Sequence, residues 1–387
     1  MKLKLKNTPE QVELVKAMGS RDSSVSREAS EAFAAFLGPV IQKVLYTAGT
    51  ASQIFVDSAF DEDDSPSYPL DLYYGEGPGY VSVWSQHMAG GLPTSQVEGM
   101  KELKIATYRL DSAVSFNKRY ARRARLDIVS KAIERMAQEI LVKQERNAWA
   151  VILRALAEAS TDHTVAGATT AQDHLLMAAD VAKGFQLADL NAMMTLNKRI
   201  NESFSSNTPI APYSTGITDL YVSPEVKESI RAFAYNPLNT TGGAGALYDQ
   251  TLPDNIRSDI YNQAGMQSIY GVNIVELVEF GVGKKYNTLF STFGSVTTDV
   301  DDATAGNQAF SAAAGGNQIL VGIDNSRGAF IRPVARQHDS GGDGTFRALP
   351  DEQFNMYGAR VEKTGFYGFL EEGRICIDAR AIMGLIL

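Results

Sequence analysis

Apolar residues recur at three- and four-residue intervals through the second quarter of the chain: Leu126, Val129, Ile133, Met136, Ile140, Ala148, Ile152, Ala155 and Leu156. That spacing lays a single stripe along a helix. No glycine or proline interrupts the stretch from Lys118 to Ala159. The pattern therefore predicts one long amphipathic helix over most of 117–160, roughly 50 Å from end to end. A strut of that length needs packing along its course, from strands of its own domain or from neighbouring copies of the chain. Arg119, Arg122, Arg123 and Arg125 crowd its first turns, where the helix dipole disfavours positive charge. Two readings stand for them: a solvated helix face, or a set of cations answered by carboxylates across a subunit contact.

Upstream the pattern is shorter and broken. Thr8 caps a helix that has Pro9 at its first position and ends near Gly19. After a polar loop, a second helix is predicted from about Arg27 to Leu45. It carries Phe33, Phe36, Leu37, Val40 and Val44 on one side, with Gly38-Pro39 kinking or splitting it. Ahead of the long helix these two have little to pack against and read as an arm lying on other surfaces. Between 51 and 100 the texture changes. Ile54–Phe60 and Tyr80–Trp84 read as strands, and between them stand Asp61-Glu62-Asp63-Asp64, several prolines and Gly75-Glu-Gly-Pro-Gly79. An extended, acidic-tipped hairpin or loop is expected, of a length that usually carries partner contacts. Lys101–Phe116 reads mainly as strand, with Ala106, Tyr108, Leu110, Ser112, Val114 and Phe116 on one face.

Beyond a polar linker at Thr161–Gln172, helix resumes at about Ala188–Phe204 and a strand follows at Leu220–Ser223. Ser223-Pro224-Glu225 opens a helix to about Ala234, and Pro253–Gln263 reads as another. Ile269–Val278 reads as a strand in which Gly271 permits close backbone approach. Asp299–Gln318 is a small, polar surface excursion. Strands are expected at Gln318–Ile323, Ala329–Val334, Phe354–Lys363, Phe366–Leu370 and Arg374–Asp378, with a turn at Glu371-Glu372-Gly373.

Composition narrows the class. The 387 residues are 44% hydrophobic and 21% charged, as in a folded protein of two or three domains. The net charge of -9 argues against a protein that grips nucleic acid through a broad basic surface. Cys376 is the only cysteine, so no intrachain disulfide and no cysteine zinc site can form. No apolar run approaches a membrane span, and the start lacks the pattern of a signal peptide. These features suit a protein made in a reducing cytoplasm.

The order of elements resembles the major capsid protein of tailed bacteriophages, the Hong Kong 97-like fold. The likeness is carried by a helical arm, a long hairpin, a very long helix, an α/β region and returning strands. Two stretches strengthen it: Tyr221-Val-Ser-Pro-Glu-Val-Lys-Glu-Ser-Ile230 with Ile269-Tyr-Gly-Val-Asn-Ile-Val275, and Ala359-Arg-Val-Glu-Lys-Thr-Gly365 through Arg374-Ile-Cys-Ile-Asp-Ala-Arg-Ala-Ile382. The resemblance implies an α+β chain with an N-terminal arm (1–50), an extended loop and following strand (51–116), and a peripheral domain with its spine helix (117–185). An axial domain (186–335) and return strands of the peripheral domain (336–387) complete it. It further implies a subunit of pentamers and hexamers closing an icosahedral shell around double-stranded DNA held without sequence preference. Portal and scaffold proteins are expected partners, with a decoration protein as a further one. Assembly would occur in the host cytoplasm and the mature location would be the virion. The same fold also admits an encapsulin-like compartment loaded with protein cargo. No residue pair marks the isopeptide weld some members make, and the family's larger N-terminal scaffolding segment has no counterpart.

Enzymatic chemistry finds little footing. His87, His163, His174 and His338 show no metal-binding spacing and read as surface or loop residues. No nucleophile elbow, Walker A or dinucleotide fingerprint stands in a strand-turn-helix context. Asp61–Asp64, and Asp299 with Asp301 and Asp302, lack the alternating carboxylates of a calcium loop. A hydrolase using a carboxylate-bound metal is the remaining enzymatic alternative; the chain is expected to be no enzyme and to need no cofactor. The candidates for contact between subunits are Arg119, Arg122, Arg123 and Arg125, the acids Asp61 and Asp63, and the aromatics Tyr80 and Trp84, a residue type favoured in interface cores.

Overall fold

The computed structural model describes residues 8–20, 22–47, 49–61, 65–70, 101–123, 125–159, 174–178, 184–204, 216–232, 258, 268–293, 297–298, 308–310, 316–336, 346–351 and 363–387. Its helices are α1 (Pro9–Met18), α2 (Ser23–Thr47), α3 (Ala51–Ile54), α4 (Lys118–Arg122), α5 (Leu126–Ala159), α6 (Leu187–Phe204), α7 (Pro224–Ala232) and α8 (Lys285–Thr292). The strands are β1 (Val56–Asp61), β2 (Ser67–Leu70), β3 (Lys101–Lys104), β4 (Tyr108–Asn117), β5 (Leu175–Met177), β6 (Asp219–Val222), β7 (Ser268–Ile269) and β8 (Val272–Glu276). They continue with β9 (Thr297–Thr298), β10 (Gln308–Ala309), β11 (Ile319–Ile323), β12 (Phe330–Arg336), β13 (Arg347–Asp351), β14 (Lys363–Glu372), β15 (Ile375–Cys376) and β16 (Ile382–Ile386). Two compact units result: Met1–Tyr68, Leu103–Ala148 and Phe330–Ile375 form one, and Pro69–Glu102, Trp149–Ala329 and Cys376–Leu387 the other.

The first unit is a mixed sheet covered by helices. β14 runs antiparallel to β4 over ten residues, from Lys363 opposite Asn117 to Glu372 opposite Tyr108. Its other edge takes β13 from Phe369 to Gly365 and touches β12 at Val334 opposite Glu372. β1 then lies parallel to β12, Val56 opposite Ile331 through Asp61 opposite Arg336. The alternation expected along β4 is present: Leu110 and Phe116 are buried, and Arg109, Asp111, Ala113 and Ser115 are exposed. Phe33 of α2 meets Phe366 with centroids 5.3 Å apart, and Phe116 packs on the same ring at 6.2 Å. Val15 and Met18 of α1, Leu37 and Ile41 of α2, and Val129, Ile133 and Met136 of α5 complete this core.

That core corrects the expected arm. α1 and α2 supply a layer of their own unit's core. The apolar face of the sheet is wider than one helix, so α5 alone leaves part of it open. α2 also continues through Gly38-Pro39 without a break. Pro39 and Ala35, whose carbonyl loses its bond, are both exposed, and water can replace that bond. The long helix is present but begins later than expected. Asn117 caps the separate short α4 by accepting from the Arg119 amide at 2.9 Å, α4 ends at Arg122, and α5 runs 34 residues from Leu126.

In the second unit six strands follow the order β5-β16-β11-β6-β8-β7. α6 and α7 cover one face with Leu190, Met193, Val226 and Ile230, against Leu220, Val222, Leu320, Met383 and Leu385. On the other face Trp149 is fully buried and meets Tyr221, Phe280 and Tyr286 with centroids 5.0, 5.1 and 5.6 Å apart. The Ser223 hydroxyl caps α7 from the Val226 amide at 3.2 Å, as the sequence implied. The strand expected over Ile269–Val278 is instead a two-residue hairpin turn followed by β8. Tyr270 and Gly271 sit at φ 52° and 81°, and nothing lies within 4 Å of a Cβ built on Gly271, so that glycine serves the turn.

Several expectations are revised near the C-terminus. Glu371 and Glu372 belong to β14, not to a turn, and β15 is two residues long. β16 lies between β5 and β11 in the second unit, whereas the resemblance groups all of 336–387 with 117–185. The Asp299–Gln318 excursion follows β9 and contains β10, which pairs antiparallel with β9.

Candidate functional site

The corner where β4 meets α5 gathers the basic candidates. α4 is a single buried-and-exposed turn: Ala121 is fully buried, while Arg119, Arg122 and Arg123, with Arg125 just beyond, lie exposed. Arg122 differs from its neighbours. Its Nε donates to the carbonyl of Gly19 at 2.7 Å, satisfying an end carbonyl of α1 where positive charge is favoured. A Cβ on Gly19 would stand 2.6 Å from the Arg122 amide nitrogen, so the approach requires glycine. Arg122 thus holds α1 in place. Among the described residues Arg119, Arg123 and Arg125 make no ion pair. Tyr120 beside them is 42% exposed.

Asp61 closes β1, exposed and opposite Arg336. It borders an open cleft of about 340 Å³ lined by Ser58, Phe60, Ser65, Tyr68 and Arg336. β2 and β3 pair with each other, so the chain leaves and returns side by side around 71–100, the base expected of a hairpin. Asp63, Tyr80 and Trp84 lie outside the described residues.

Sequence reasoning missed the most concentrated chemistry of the first unit, a buried ionic network. Glu372 is fully buried and accepts from the Tyr108 hydroxyl at 2.8 Å, Gln144 Nε2 at 3.0 Å and the Arg374 guanidinium at 3.2 Å. Arg332 grips Asp57 through Nε at 2.6 Å and Nη2 at 2.5 Å, with Nη1 3.8 Å from Glu372. Arg374 also lies over the Phe55 ring at 4.9 Å. Burial, then the charge of Glu372, pushes the Tyr108 hydroxyl up to about 12. Two acids and two arginines cancel, and the network ties β1, β12, β14, β4 and α5 together; a charge-balanced, enclosed set suits stapling rather than turnover. Glu145, nearby on α5, caps α3 by accepting from Thr50 Oγ1 and the Ala51 amide, both at 2.9 Å. Period-two and period-three patterns do not flag such residues; charged side chains at strand positions whose neighbours are apolar were the available signal.

In the second unit, Asp378 accepts from Arg380 Nε at 2.8 Å and lies 3.4 Å from Arg327. Burial would raise its pKa, and the Arg380 contacts outweigh that and hold it low. His174, expected at a surface or in a loop, stands at a bend just before β5 and is fully buried there. Its Nδ1 faces the Ile382 carbonyl at 2.8 Å, which requires the proton on Nδ1. Among the described residues no three His, Cys, Asp or Glu side chains gather to hold a metal ion, and no helix is long and apolar enough to cross a membrane.

No protein-family model matches the sequence, and no curated protein does. Solved structures do. The capsid structure of the cyanophage P-SCSP1u aligns over 87% of this chain and 88% of its own, with a TM-score of 0.50 and 14% identity. A chain of Microbacterium phage Oxtober96 aligns over 88% and 91%, with a TM-score of 0.47 and 13% identity. The SrpI encapsulin of Synechococcus elongatus PCC 7942 aligns over 88% of each chain at 0.41 and 8%. The cyanophage likeness spans both units and establishes the α+β Hong Kong 97-like capsid fold.

Proposed function

We propose that this chain is the major capsid protein of a tailed phage, assembling as pentamers and hexamers into an icosahedral head around double-stranded DNA. The observation that carries the reading is the shared fold with a phage capsid subunit over 87% of the chain. The first unit, with its long helix, corresponds to the peripheral domain of such a subunit and the second to the axial domain. The exposed arginines of the β4–α5 corner, Asp61 at the end of β1, and Asp63, Tyr80 and Trp84 are contacts between copies. Many contacts, each modest, add by multivalency, and closed symmetry leaves no open edge. A chain of net charge -9 suits a wall that confines DNA without gripping it. Portal and scaffold proteins are the partners this role calls for and a decoration protein is a further one, with assembly in the host cytoplasm and residence in the virion. No step of the role is catalytic.

Negative-stain microscopy of the purified chain, alone and with its scaffold, should show capsomers or closed shells. A monomer that never assembles would refute the proposal. Nuclease-protected DNA in native particles, rather than a protein cargo, is the outcome that separates a phage head from an encapsulin compartment.

A further inference from the structure

Helix α2 has two apolar faces, and its own unit covers one of them. Ala32–Ile41 holds no polar side chain on any side, a composition that belongs to a helix enclosed all round. Phe33, Ala34, Leu37 and Ile41 are buried in the first unit's core. On the other side Val25 and Phe36 are 42% and 47% exposed, and Ala32, Ala35 and Pro39 are exposed with them. Val25, Glu28, Ala32, Ala35 and Pro39 follow one another at spacings of three, four, three and four. That is the period of a seam between two helices, and Phe36 stands beside it.

We infer that this stripe packs against the same stripe of a second copy of this chain, the two helices antiparallel about a twofold axis. Charge fixes the direction. Glu28 stands near one end of the stripe and Lys43 at the other, both exposed. A parallel pair would set acid beside acid and lysine beside lysine. An antiparallel pair sets each Glu28 beside a Lys43 and opposes the helix dipoles as well. With Glu28 level with Lys43 of the second copy, Ala32 is level with Pro39 and Ala35 with Phe36, so each exposed ring meets small side chains. The contact is modest. From Val25 to Lys43 the helix runs roughly 27 Å, and a strip one helix wide buries about 500 Å² over both copies, below what holds an isolated dimer. Such a contact is effective where many form at once, as in a closed shell. The pairing deepens the proposed function and rests on that reading for the meeting of copies. It also decides which copies meet. Neighbours within a pentamer or hexamer are joined head to tail, and a twofold contact cannot link them. The α2 pair therefore joins one ring to the next.

The test uses full-length chains. Phe36→Glu should form capsomers as the native chain does but close into shells about tenfold less often or worse, counted by microscopy, while Phe36→Leu assembles normally. Melting of both variants should match the native chain, because position 36 is half-exposed in the single copy. Glu28→Lys should also lower the yield of shells, and adding Lys43→Glu to the same chain should restore it. In shells, Ala35→Cys faces its own copy across the axis and should give a covalent dimer on mild oxidation. Ser24→Cys lies about 34 Å from its copy along the paired helices and should give none. The native chain, with Cys376 alone, sets the background. Normal shells from Phe36→Glu, no dimer from Ala35→Cys, or a dimer from Ser24→Cys overturns the pairing and leaves a shell-forming chain intact. A native chain that never assembles overturns both. Loss of scaffold binding with the joining of rings unchanged would make the stripe a scaffold site and overturn the pairing.

Discussion

At the scale of single residues, placement depends on what a buried charge meets. Glu372 is surrounded by Tyr108, Gln144 and Arg374, so removing its charge strands Arg374, whose side chain is 1% exposed. Glu372→Gln should cost about 3 kcal/mol or more in chemical unfolding. The same change should lower the Tyr108 pKa from about 12, since burial would remain but the carboxylate's repulsion would not. The sign follows from the raised value. The neutral hydroxyl contributes stability that is complete below the ordinary tyrosine pKa of 10.0 and is lost as pH climbs through about 12. A tyrosinate difference titration of native chain against Tyr108→Phe measures both. In the sequence, Glu372 reads as half of a turn and Arg332 as one cation among many; nothing local says that either is enclosed. Ser223 and Thr8 are the opposite case, because a cap is a bargain between near neighbours and is legible from spacing alone.

Elements show the same division. α1, α6, α7, β6, β11 and β12 fall where periodicity and punctuation put them. α2 defeats its own punctuation because the packing of Phe33, Leu37 and Ile41 outweighs one lost hydrogen bond at Pro39. Pro39→Ala is therefore expected to raise the melting temperature, by up to about 3 kcal/mol of stability, since the site is exposed and the missing bond returns. A lower melting temperature would show that Pro39 has a role in packing. β5 and β16 escaped notice for a different reason. They are short apolar runs, which pattern alone cannot tell from buried helix or loop; β5 becomes a strand by pairing with β16, and β16 by pairing with both β5 and β11. The end of α5 also illustrates context: Trp149 is an ordinary apolar position of the stripe until three aromatic rings close around it.

For the whole molecule, the status of the first fifty residues decides how separable the parts are. A detachable arm could be cut away and leave a folded body. Here α1 and α2 cover Phe116, Phe366 and Leu370, so deleting residues 1–47 should expose that face and give an insoluble or molten chain, checked by solubility, near-ultraviolet dichroism and dye binding. A soluble, cooperatively folding product would restore the arm. This self-coverage sits beside a basic corner where, among the described residues, Arg119, Arg123 and Arg125 make no ion pair. Association between copies is then expected to be salt-sensitive at that corner while the fold of each copy is not.

The sequence by itself determined the α+β order of elements, the long helix, the alternation along β4 and the capping of α1 and α7, because each depends on residues a few positions apart. Tertiary structure alone decided that α1 and α2 belong to the core, that β16 lies inside the second unit's sheet, that Arg122 serves α1, and that Glu372 anchors a buried network. Those outcomes depend on which distant surfaces meet, on how wide an apolar face must be covered, and on which charges lose their water when it is.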